Sequence, residues 1–304
     1  MSDSIETLRH RIDGANDLQA VVRTMKALSA ANIGQYERAV QALAGYYQTV
    51  TLGLAACLRA MPDLRVPNAM SVPPVSQQAM VGVVVFGSDQ GLIGQFNDQI
   101  ATLVQQSLPE ITQLVTNAKP MVWVVGERLR DRCVALDIPV QALFNVPNAV
   151  NAITRLVGEL VLAVEQAREQ HHLQSLYLFH HQPQSIAGQY LPVKQCLLPL
   201  DRAWQADLAK QAWPTAQCPE TLGSPTATFA ALIREYLFVS LFRACAESQA
   251  SENASRLLAM QRAEKNIGEM LDNFTQQYHQ LRQESIDAEL FDVIAGLGVT
   301  AKTA

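Results

Sequence analysis

The sequence predicts an α/β protein in which N- and C-terminal helices pair as a long antiparallel coiled coil and an α/β domain is inserted between them. Three observations carry this. From about Thr228 to Gly296 the residues Leu257, Met260, Ile267, Met270/Leu271, Phe274, Tyr278, Leu281, Ser285, Ala288 and Phe291 recur at steps of three and four, the spacing of a coiled-coil seam. From Ile5 to Met61 a second stripe runs through Leu8, Ile12, Ala15, Leu18, Val22, Met25, Leu28, Ile33, Tyr36, Val40, Leu43, Tyr47, Val50, Leu54 and Leu58. Between them the period changes to short apolar runs separated by helical stretches. The boundaries predicted are 1–61 for the first stalk helix, 62–227 for the inserted head with its linkers, and 228–304 for the second stalk helix.

Each stripe needs a partner, and each end of the chain supplies the other's. Gly34, Gly45 and Gly53 lie inside the first helix, where each costs about 1 kcal/mol relative to alanine. Packing rather than propensity therefore holds that helix, and the small residues permit close approach. The second helix has no proline after Pro225, and Gly296-Leu297-Gly298 is its first stop signal.

After the first helix, Pro62, Pro67, Pro73 and Pro74 mark a linker. Val81–Phe86 is a β-branched run that reads as a buried strand. A helix follows over Asn97–Thr116, with Pro109 placed to break or kink it. Met121–Val125, Val140–Phe144 and Ser175–Phe179 read as further strands, and Glu127–Leu136 and Ala149–Gln170 as the helices between them. This alternation predicts a mainly parallel, Rossmann-like sheet with helices on its faces. His180–Gln189 is expected to be a polar turn, with Val193–Leu198 returning antiparallel. Residues 199–227 read as a loop containing a short helix.

Composition narrows the function. The chain has 304 residues, 49% apolar and 17% charged, with a net charge of −5, enough to bury a core and without a basic stripe for nucleic acid. The five cysteines show no paired spacing, which argues against a disulfide framework or zinc site. The N-terminus lacks the pattern of a secretion signal, and no window reaches the roughly 18 uncharged apolar residues needed to span a bilayer.

Gly87-Ser-Asp-Gln-Gly-Leu-Ile-Gly94 joins a strand to a helix, where phosphate-binding loops occur. Its spacing fits neither GxxxxGK[ST] nor GxGxxG, so it reads as a tight turn, with Asp89 stabilising the turn rather than acting as a catalytic acid. The paired histidines 171/172 and 180/181 point apart on either a helix or a strand, so neither pair chelates a metal; they read as exposed element ends. No hydrolase triad or nucleophile elbow is present. Arg256, midway along the second helix, is placed to pair with a carboxylate on another protein.

Three separated stretches resemble one family. SENASRLLAMQRAEKNIGEMLDNFTQQYHQLRQESIDAEL (251–290) is similar to the last helix of the gamma subunit of F-type ATP synthases, with its S-E-x-x-x-R-M-x-A-M-x-x-A-x-x-N signature. LRHRI (8–12) and LQAVVRTMKALSAAN (18–32) resemble that subunit's first helix. GSDQGLIGQFN (87–97) is similar to its S-D-x-G-L-x-G-x-[FY]-N turn.

The resemblance implies a non-catalytic central-stalk rotor, coupling ion translocation to ATP synthesis or hydrolysis by rotation, with no cofactor of its own. It implies as partners the catalytic and non-catalytic nucleotide-binding ring subunits, a small central-stalk subunit and a membrane-embedded c-type ring. The implied location is peripheral, on the cytoplasmic side of the inner (plasma) membrane, with membrane contact only through partners. It places ring-contact, coupling residues at Met25, Arg256 and Gln283. Asn32 stands where the family usually has lysine, followed by Gly34 and Gln35, and Ile93 replaces the family's cysteine, which points to a divergent branch such as an alternative ion-translocating F-type ATPase. The competing class is a coiled-coil scaffold with an unrelated ligand-binding α/β head, which would bind its ligand as an isolated chain.

Overall fold

Helix α1 covers Ile5–Ala60, and Ser4 caps it by accepting the Thr7 N–H on its hydroxyl at 3.1 Å. The C-terminal helix, α6, covers Pro225–Thr300. It starts three residues earlier than expected because proline is tolerated in a first helical turn. It also runs through Gly296 and Gly298, which were expected to stop it; two glycines cost a long helix only about 1 kcal/mol each. The computed structural model describes residues 4–60, 79–115, 118–171, 173–184, 189–210, 213–215, 217, 219 and 224–300. The expected linker at 62–74 and His172 lie outside these.

Two compact units divide the chain: Met1–Ser29 with Leu257–Ala304, and Ala30–Arg256. The first is an antiparallel helix pair. Arg11 of α1 lies over the Phe274 ring of α6 at 6.0 Å, whereas Arg23 and Lys26 both reach Glu264 at 3.0 and 2.5 Å. Numbers rise on one helix as they fall on the other.

The seam of this unit keeps a strict three–four alternation. On α1 it passes through Leu8, Ile12, Ala15, Gln19, Val22, Lys26 and Ser29, and on α6 through Leu257, Met260, Glu264, Ile267, Leu271, Phe274, Tyr278 and Leu281, all buried or half-buried. Leu18, Leu28, Met270 and Phe291, expected in the stripes, are exposed instead. The heptad phase places polar Gln19 and Ser29 in the seam, and apolar identity does not override it.

The second unit holds a five-stranded sheet in the order β3-β2-β1-β4-β5. Strands β1 (Met80–Phe86), β2 (Lys119–Val125), β3 (Val140–Phe144) and β4 (Leu173–Pro183) run parallel, and β5 (Tyr190–Leu198) returns antiparallel along β4. The connecting helices are α2 (Phe96–Leu114), α3 (Glu127–Ala135) and α4 (Val150–His171), with the short α5 (Arg202–Lys210) after the sheet. Alternation along β1 builds two cores. Val81, Val83 and Val85 pack with Ile100, Val104 and Leu129 of α2 and α3. Val84 and Phe86 face the opposite way, into a cluster with Ile153 and Leu160 of α4, Leu54 and Leu58 of α1, and Leu237 and Leu241 of α6. The expected α/β architecture is present, with the two terminal helices covering one face of the sheet inside this unit.

Helix α2 continues through Pro109. Proline removes the bond to the Gln105 carbonyl, four residues back. Both residues lie on the exposed side of the helix, where water can take that carbonyl. Of Gly34, Gly45 and Gly53, only Gly53 gives the expected close approach: a Cβ there would lie 3.1 Å from a Leu232 methyl of α6, whereas Gly34 and Gly45 face open space.

Candidate functional site

The chain crosses to the other side of β1 between β3 and β4, so the turn after β1 sits at the switch point of the sheet, where open α/β folds collect function. Its polar groups are engaged by the chain itself. Asp89 accepts the backbone N–H of Glu127 at 2.8 Å and of Val146 at 3.0 Å, which ties the ends of β2 and β3 to the turn. Asn97 accepts the Ser88 N–H and donates to the Ser88 hydroxyl, at 3.2 and 2.8 Å. Leu92 and Gly94 take positive φ, 62° and 60°, to fold the turn over. Gly126 takes φ 112°, a region that favours glycine, and a Cβ there would sit 2.7 Å from the Ser88 backbone, so both conformation and space call for glycine. Asp89 is therefore the turn-stabilising side chain that the sequence indicates.

His180 and His181 are not exposed ends. They lie in β4, which runs on to Pro183, and both are buried. The His180 Nε2 is 3.0 Å from Glu247 Oε2, and Arg243 donates to the other oxygen at 2.7 Å. Burial would raise the Glu247 carboxyl, but these two neighbours outweigh it and hold it below the usual carboxylate range. The His181 ring stacks on Phe96 at 3.9 Å and meets Tyr190 edge-on at 5.2 Å. Burial, with His180 beside it, drives the His181 pKa down to about 3. The polar look of His-His-Gln-Pro hid a strand whose partners lie on distant elements.

Arg256 lies in this larger unit, on the buried side of α6, 8% exposed. It already has a carboxylate: its guanidinium donates to Glu252 at 2.6 Å, one helical turn back. Gln249 donates to the other Glu252 oxygen at 3.2 Å. Burial pushes the Glu252 carboxyl up, with Arg256 pulling the other way. The Arg256 Nε is buried and makes no hydrogen bond. Asn32 donates to Asn253 at 3.4 Å, so the residue standing where the family usually carries lysine meets the edge of the same polar group. An acid four residues before an arginine on a helix was a legible signal for the Glu252 pairing.

Met25 and Gln283 lie in the smaller unit. Met25 is half-buried, at the level where Arg23 and Lys26 grip Glu264. It continues a second apolar stripe on α1, formed with Leu18, Val21 and Leu28, which are 60%, 55% and 61% exposed. Gln283 is exposed. It lies 19 residues beyond Glu264 on α6, roughly 28 Å at 1.5 Å per residue. The two therefore do not form one cluster; if both touch a partner, they do so at different levels of the helix pair. Among the described residues no group of three or more His, Cys, Asp or Glu side chains is arranged to hold a metal. No helix among them is long and apolar enough to cross a membrane.

Comparison with known proteins agrees with this architecture. The ATP synthase family model matches residues 4–298. The ATP synthase gamma chain of Rhizobium johnstonii is 28% identical, covering 96% of this chain and 98% of that protein. The gamma chain of Anaeromyxobacter dehalogenans is also 28% identical, with the same coverage. Among solved structures, a chain of the rotor of the Euglena gracilis mitochondrial ATP synthase shares the fold, with a TM-score of 0.55 at 14% identity over 93% of this chain and 98% of that one. The chain belongs to the ATP synthase family, and the two relatives above, which match it over nearly their whole length, are gamma chains.

Proposed function

We propose that this chain is the central-stalk rotor subunit of an F-type ATP synthase, turning with ion flow and driving or being driven by ATP chemistry in a surrounding ring. The observation that carries the reading is full-length membership of the family together with a continuous helix pair whose free face on α1 bears an apolar stripe. Exposed apolar surface of this kind serves as a bearing, because it slides against a matching collar without bonds that must be broken. The chain is not an enzyme by itself. Its partners are the catalytic and non-catalytic ring subunits, the small central-stalk subunit and a membrane-embedded c-type ring, and it meets the bilayer only through them. Its place is peripheral, on the cytoplasmic side of the membrane that holds that ring.

Within this reading Met25 is the adaptable apolar contact of the stripe, Gln283 a hydrogen-bonding contact farther along α6, and Arg256 a donor to a ring carboxylate. Reconstitution tests the whole. The isolated chain should bind no nucleotide at micromolar concentration, yet should be required for the purified ring subunits to drive ion transport in membranes containing the c-type ring. Tight nucleotide binding by the isolated chain, with no effect on the ring, would support the scaffold alternative instead.

A further inference from the structure

Between Ala244 and Ser255, helix α6 carries no apolar side chain larger than alanine or cysteine, yet nearly all of this stretch is buried. Its apolar packing is therefore shallow, and apolar burial is non-directional, so directional contacts of its buried polar side chains are what can fix its rotation. Among those polar side chains, three at steps of four reach the sheet and the turn after β1. Glu247 bonds His180 of β4 at 3.0 Å. Ser251 donates to the His181 carbonyl at 3.4 Å. Ser255 donates to the Ile93 carbonyl of the turn after β1 at 2.5 Å and lies 2.9 Å from the Tyr190 hydroxyl of β5. Steps of four drift only about 40° around a helix, so the three residues share one side of α6. Their partners belong to β4, to the turn after β1 and to β5.

We propose that Glu247, Ser251 and Ser255 are the positioning residues of a torque joint, keying α6 to the sheet so that twist in the helix reaches the head instead of being lost as slippage. The proposal rests on the rotor reading for its purpose, though not for its geometry. Hydrogen bonds suit the task because they are directional and fail over a short distance. For side-chain atoms roughly 6 Å from the helix axis, a rotation of about 20° moves them by about 2 Å, enough to break every bond in the set. The carboxylate of Glu247 is also fixed from behind by Arg243 at 2.7 Å, which keeps the first key from turning with its own side chain.

The test removes hydroxyls and leaves the apolar packing. In the isolated full-length chain, Ser251→Ala/Ser255→Ala should widen the distribution of distances between site-specific spin labels at Ala231 on α6 and Gln141 on β3, both exposed. Ser251→Thr/Ser255→Thr, which keeps both hydroxyls, should restore the parental width. An unchanged width in the alanine variant overturns the joint, whatever the chain does in a complex. In the assembled synthase, the same variant should hydrolyse ATP at the parental rate without load, while the angular variance of a bead on the head rises at least twofold. Parental variance there, with the isolated chain loosened, would mean that the keys hold the head but carry no torque, and the proposal fails. Should the double variant not fold, Tyr190→Phe, which removes one hydroxyl from the far side of the joint, carries the same expectation at smaller size. Failure of the parent to assemble with ring subunits at all would sink the rotor reading and leave the label experiment standing.

Discussion

Asp89 accepts backbone N–H groups from segments 38 and 57 residues away in the chain, and that reach makes it a stability residue. Bonds to an ionised acceptor contribute about 1.5–3 kcal/mol each. Asp89→Ala should therefore lower the unfolding free energy of the isolated chain by roughly 2–4 kcal/mol, and Asp89→Asn, which keeps one acceptor, by less; urea titration decides. His181 gives a second expectation, in pH. Its pKa is about 3 in the folded chain against 6.5 for a free imidazole. Between those values the unfolded chain binds a proton that the folded one does not, so stability falls as pH drops below about 6.5, at up to roughly 1.4 kcal/mol per pH unit. His181→Phe keeps an aromatic ring against Phe96 and cannot titrate. Its stability relative to the parent should rise steadily from pH 6.5 towards pH 4; parallel curves would remove His181 from the acid response. Neither role is fully legible in the sequence. Asp89 was readable as a turn residue from its place between glycines, but the burial of His181 depends on Phe96 and Tyr190, which periodicity alone does not bring to it.

The helices and strands were legible wherever a period ran long. Both terminal helices, the four parallel strands and the returning antiparallel strand follow from stripe and alternation, because burial of a face is what fixes those elements. Phase was less legible than period. Leu18 and Leu28 look like seam residues because they are apolar, yet the seam passes through Gln19 and Ser29, and of the expected pair Met270/Leu271 only Leu271 lies in it, since a steady heptad constrains position more than any one side chain does. Glycines along α1 make the same point about neighbours. A Cβ added at Gly45 would have nothing within 4 Å, whereas one added at Gly53 would meet the Leu232 methyls at 3.1 and 3.2 Å. Gly45→Ala should stabilise the chain by about 0.5–1 kcal/mol through helix entropy alone. Gly53→Ala gains the same entropy but must displace Leu232, and its net effect should be zero or unfavourable. Equal stabilisation by both would show that α6 yields at Leu232 without cost.

Coupling through the assembled machine is where the contact assignments meet their test, and the Glu252–Arg256 pair decides how that test must be built. Removing one partner of a buried ion pair costs about 3–5 kcal/mol, because the other charge is left behind without compensation. Arg256→Ala would therefore weaken the isolated chain as well as any grip on the ring, and slow turnover would have two explanations. Glu252→Gln/Arg256→Gln separates them: it removes both charges together, and the two amides can still bond across one turn. The double variant should melt within a few degrees of the parent, yet turn over more slowly in the assembled synthase if the guanidinium engages a ring carboxylate. Parental turnover would confine the arginine's role to its own helix. Met25→Lys provides the matching gain of contact, since it places a cation in the exposed stripe of Leu18, Val21 and Leu28, where a ring carboxylate can hold it. A bearing that grips must break an extra bond at every step, on the order of 1–3 kcal/mol for a charge-assisted one. Folding and assembly should be unchanged while fewer ions are moved per ATP hydrolysed, measured as the proton or sodium gradient reached at a fixed hydrolysis rate. An unaltered ratio would mean that the stripe around Met25 does not touch the ring in this branch of the family.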